Sequence, residues 1–78
     1  MRVKVVHEVR VGLIVAKIHE RRRRDGRQHG ISIYRLCRND DRWIQSTRFG
    51  PDDIPSMRYV LDLAHTWILR HGKTDQDS

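Results

Sequence analysis

Ile18-His19-Glu20-Arg21-Arg22-Arg23-Arg24-Asp25-Gly26-Arg27-Gln28-His29-Gly30-Ile31-Ser32-Ile33 decides the fold. Apolar residues alternate at both ends of this stretch, and the middle is charged. Asp25-Gly26 is a two-residue hairpin signal, because both residue types tolerate positive φ. The stretch therefore reads as two antiparallel strands with four arginines at the tip. Centring the turn on residues 25–26 sets Ile18 opposite Ile33, Ala16 opposite Arg35 and Ile14 opposite Cys37. Opposed residues share a face of the sheet. One face then carries Ile14, Ala16, Ile18, Ile31, Ile33 and Cys37. The other carries Leu13, Val15, Lys17, His19, Ser32, Tyr34 and Leu36.

Upstream, residues 7–20 are rich in β-branched types and read as one long strand, with Gly12 marking a bulge. On that reading Val9 and Val11 lie on the Val15 side. Residues 2–6 extend the strand or form an arm. Downstream, Asn39-Asp40-Asp41 supplies a turn and residues 42–49 a further strand. Its Trp43/Phe49 side is assigned to the Ile14 face, and Ile44, Ser46 and Arg48 to the other. Gly50-Pro51-Asp52-Asp53 then opens a helix, with Asp52 as N-cap and Pro55 tolerated in the first turn. Ile54, Met57, Val60, Leu61, Ala64, Trp67 and Ile68 follow the spacing of one helical face. Gly72 is the expected C′ residue. The expected fold is α+β: an antiparallel, curved meander of three or four strands (βββα) with one C-terminal helix packed on one face. Residues 1–72 form the domain and 73–78 a flexible tail.

Size and charge narrow the function. A chain of 78 residues has a small core, and stability then needs a further source. Cys37 is the lone cysteine, which excludes an internal disulfide and makes a reducing, cytoplasmic compartment the default. A homodimer is the expected extra source. No segment has the length of a membrane span or the apolar run of a signal peptide. Residues 1–49 hold 13 Lys/Arg against 5 Asp/Glu, a net of +8, whereas residues 50–78 net −2. Thirteen of the 16 basic residues are arginine, whose planar fork matches phosphate oxygens.

Two surfaces follow. Arg21, Arg22, Arg23, Arg24 and Arg27 form a phosphate-contacting tip. Lys17, Tyr34 and Arg48 interleave cation and aromatic on a sheet face, a pattern suited to single-stranded nucleic acid. Leu13, Val15, Leu36 and Ile44 give the same face an apolar patch, expected to be a dimer interface. The leading expectation is a non-enzymatic nucleic-acid-binding protein. The alternative is a protein-interaction or assembly module built on the apolar patch. No Cys/His spacing matches a zinc site, and no cofactor or small-molecule site is evident. His65 and His71 lie six residues apart, off one helical face. Cys37 sits among core residues as a small hydrophobe.

Val11-Gly12-Leu13-Ile14, Tyr34-Arg35-Leu36, Trp43, the run from Ser46 to Ile54 containing Phe49-Gly50-Pro51-Asp52-Asp53, and Asp62-Leu63-Ala64-His65-Thr66-Trp67-Ile68 together resemble a family of small bacterial proteins. The resemblance spans most of residues 10–69. It implies a fold boundary and a bacterial origin, and no activity. The arginine block lies outside the pattern. In element order and basic sheet the chain is also similar to the strands-then-helix units of Pur-alpha and positive cofactor four, which bind single-stranded nucleic acid as dimers or paired repeats. That likeness is one strand short unless residues 2–7 supply it.

Overall fold

A computed structural model describes residues 3–71. It is an α+β unit: one curved, four-stranded antiparallel sheet in the order β1-β2-β3-β4 and a C-terminal helix on one face. The strands are β1 (Val3–Val11), β2 (Ile14–Arg23), β3 (Gly26–Asn39) and β4 (Arg42–Ser46). A short 3₁₀ turn, Pro51–Asp53, leads into α1 (Ile54–His71).

The single strand expected over residues 7–20 is two strands. Gly12-Leu13 is a tight turn that sets Val11 opposite Ile14. Gly12 takes φ +62°, a conformation in which an L side chain meets its own carbonyl. The turn moves Val9 and Val11 to the face of Ala16 and Ile14, opposite to the sequence reading. A β-bulge between Val5 and His7 offsets the first half of β1. Nothing lies within 4 Å of a Cβ built on Gly12. Gly12→Ala should therefore cost backbone strain alone, about 1–2 kcal/mol. Its urea midpoint should fall with an unchanged slope.

The arginine hairpin closes one pair earlier than expected. Arg23 faces Gly26, the turn residues are Arg24 and Asp25, and Gly26 takes φ +133° just past them. Ile18 now faces Ile31, and Ile14 faces Arg35. This shift of two residues keeps every β2 and β3 side chain on its expected face. The third turn, Asp40-Asp41, has Asp40 at φ +59° and sets Trp43 opposite Arg38 and Ile44 opposite Cys37. Trp43 is thus on the Tyr34 face, while Ile44 and Ser46 are on the Ile14 face. Both assignments reverse the sequence reading.

β4 ends at Ser46, not Phe49. The chain then crosses to the helix, and Phe49 packs with Val9, Val11, Ile33 and Met57 around buried Ile14, Ala16 and Val60. The Asp53 carboxylate, rather than Asp52, closes the helix entry. Its Oδ2 accepts the Gly50 N–H at 2.8 Å. Its Oδ1 lies 3.3 Å from Arg35 Nε, tying the entry to β3. That buried Nε makes an ion pair without an aligned hydrogen bond. At the far end Trp67 stacks on His7 of β1 at 4.9 Å and on His71 at 4.5 Å. Val60 and Ala64 are the buried helix residues, while Ile54, Leu61 and Leu69 remain exposed. The expected C′ role of Gly72 and the tail at 73–78 lie outside the described residues.

Candidate nucleic-acid interface

Cross-strand pairing sorts the cations. On the face without the helix, β1 contributes Arg10, β2 contributes Lys17, Arg21 and Arg23, and β3 contributes Arg38. Glu8 is the one carboxylate among the described strand residues of that face. Two aromatic rings lie between these charges. Lys17 Nζ sits 5.7 Å from the Tyr34 ring centroid, and the Arg38 guanidinium 5.6 Å from that of Trp43. Both distances are within cation–π range. Trp43 is 56% exposed and so offers most of its ring to solvent.

His19 lies toward the tip and is hydrogen-bonded diagonally to Ser32 Oγ at 2.8 Å. Gly30, its direct partner across the ladder, leaves the surface low. Val3, His19, Arg21 and Gln28 line the resulting cleft of about 330 Å³.

The arginine block is divided by strand alternation. Arg21 and Arg23 point to the open face, Arg22 and Arg27 are paired on the helix side, and Arg24 is in the turn. Arg23 is steadied by a 3.0 Å hydrogen bond to Gln28 Oε1. Arg27 lies 3.7 Å from Glu20, which also faces His29 at 3.8 Å. All four residues of the block are exposed.

Of the other residues expected on this face, Lys17 and Tyr34 are there and Arg48 is not. Arg48 follows the end of β4, and its N–H donates to Ser46 Oγ on the helix side. Arg10, Arg38 and Trp43 were missed. Two-residue turns at Gly12-Leu13 and Asp40-Asp41 would have placed all three. The four apolar residues expected to form one patch are not brought together. Val15 is only 2% exposed, between its cross-strand neighbours Arg10 and Tyr34. Ile44 is on the opposite face, Leu36 is half-buried, and Leu13 lies in the first turn.

No family model, no curated protein and no solved structure matches this chain. The resemblance to a bacterial family therefore rests on the sequence pattern alone. No solved structure supports the likeness to Pur-alpha and positive cofactor four, which stays one of element order read from the sequence. No group of three or more His, Cys, Asp or Glu side chains among the described residues could hold a metal ion. No described helix is long and apolar enough to cross a membrane.

Proposed function

We propose that this protein binds nucleic acid without enzymatic activity, favouring single strands. The observation that carries the reading is the helix-free sheet face, where Arg10, Lys17, Arg21, Arg23 and Arg38 surround Tyr34 and Trp43. Tyr34 and Trp43 lie on neighbouring strands, four residues apart along β3, so a flexible strand can lay bases a few nucleotides apart on the two rings while its phosphates meet the cations. A rigid duplex presents stacked bases that these rings cannot reach, so it engages the charges alone. The tip extends the cationic track beyond the rings.

Labelled single- and double-stranded DNA and RNA, titrated across a salt series, test the proposal. Tighter binding of single strands with a steep salt slope is the expected result. No binding at low salt would reduce the face to a solvated surface. The rings supply a second test. Tyr34→Ala and Trp43→Ala should each weaken single-strand binding by about 1–3 kcal/mol. Duplex binding and the salt slope should hardly change. Equal losses for both nucleic-acid forms would remove stacking from the account.

A further inference from the structure

We infer that a second copy of this chain adds to the outer edge of β3, pairing antiparallel about Gly30 to make one continuous eight-stranded sheet. β3 is paired with β4 only from Arg35 to Asn39. Among the described residues, no strand runs beside the rest of β3 on that side. The Leu36 N–H donates to Leu13 O on the β2 side. Alternation along the uninterrupted ladder then turns the backbone groups of His29, Ile31 and Ile33 outward.

The three edges of this sheet differ in their protection. β1 carries a bulge and the charges Lys4, Glu8 and Arg10. β4 is five residues long and begins with Arg42. Short strands, bulges and charges are the devices that keep an edge from pairing with another chain. The β3 edge has none of them between Gln28 and Tyr34. Gln28-His29-Gly30-Ile31-Ser32-Ile33-Tyr34 contains no Lys, Arg, Asp or Glu in a chain that is 33% charged. Ile31 is 40% exposed there.

The occupant is a second copy because the edge is matched to itself. The stretch from Arg27 to Ile33 is centred on Gly30, so a two-fold axis there pairs it with itself and stops short of Arg35, where β4 begins to cover the edge. His29 of each copy then exchanges both backbone hydrogen bonds with Ile31 of the other. Gly30 meets Gly30 at a pair without hydrogen bonds, where antiparallel chains come closest. Gly30 weakens its own strand, and no atom within 4 Å of a built Cβ requires it. Close approach of another backbone gives it a purpose. The interface is isologous, and it puts both helices on one side and both basic faces on the other. It does not depend on nucleic-acid binding.

The test is sedimentation of the full chain without nucleic acid, in high salt to screen its charge. A concentration-dependent mass reaching twice that of the chain is expected. Gly30→Cys, in a Cys37→Ser background, should form an interchain disulfide under mild oxidation. Ile31→Pro removes an outward N–H and leaves the β2 ladder intact. It should raise the dimer dissociation constant about 10- to 100-fold, since each copy loses one interchain hydrogen bond. Ile31→Lys, which guards the edge without proline, should act in the same direction if the proline variant fails to fold. A chain that stays monomeric at high concentration overturns the inference. So does a dimer that survives a folded Ile31 variant and gives no Gly30→Cys cross-link.

Discussion

Ile18→Ala should cost about 2–5 kcal/mol, because it empties a fully buried site that the fold cannot easily refill. Ile18 is 0% exposed, between His7 of β1 and Ile31 of β3. Among the described residues the buried hydrophobic ones are few: Ile14, Val15, Ala16, Ile18, Val60 and Ala64. Four of them are on β2, with Ile14, Ala16 and Ile18 on the helix side and Val15 on the open face, so the core is essentially this one strand. A domain of this length holds only about 0.05–0.15 kcal/mol per residue in total. One lost isoleucine is therefore comparable with the whole margin. Urea unfolding followed by far-ultraviolet circular dichroism measures it. The variant should be partly unfolded before denaturant is added, or show a much reduced midpoint. A loss below about 1 kcal/mol would mean that the site collapses and that the core is more plastic than its burial implies.

Replacing Arg21, Arg22, Arg23 and Arg24 together by glutamine should weaken nucleic-acid binding and flatten its salt dependence. Each phosphate contact contributes about 0.7 to the logarithmic salt slope for single strands and about 0.9 for duplex. Four lost contacts lower the slope by about 3. Strand alternation adds a finer expectation. Arg21 and Arg23 share the open face with Lys17 and Tyr34, whereas Arg22 points to the helix side. Arg21→Gln with Arg23→Gln should therefore take more of the slope than Arg22→Gln with Arg24→Gln. An unchanged slope in the quadruple variant would exclude the tip from the interface. Equal effects of the two pairs would show that the tip acts as a diffuse charge and not as part of the face.

The α+β class, the helix, the final turn of the meander and the arginine hairpin were legible in the sequence. Alternation between β-branched residues and the spacing from Ile54 to Ile68 carry that information directly. The faces of β2 and β3 were also legible, because a turn misplaced by one residue shifts the pairing register by two and so preserves parity. Errors arose where one residue controls parity. Gly12 fits both a bulge and a turn, and the apolar run from Val11 to Ala16 has no polar residue to choose between them. Choosing the bulge lost a strand and hid Arg10. Reading the strand after Asp41 as running to Phe49 tied Trp43 to the core, because Phe49 is there. Phe49 reaches the core only after the strand has ended. The apolar patch failed for a related reason: it combined residues from two faces and one residue that the chain already buries.

The two tryptophans are divided between the two surfaces. Trp67 is half-buried against His7 and His71, where the helix meets β1. Trp43 is exposed beside Arg38 on the opposite face. The molecule thus contains its own pair of fluorescent reporters, one for helix docking and one for the open face. With Trp43→Phe, the remaining emission follows unfolding alone. With Trp67→Phe, it follows whatever approaches the sheet, so folding and recognition can be read separately without any attached dye.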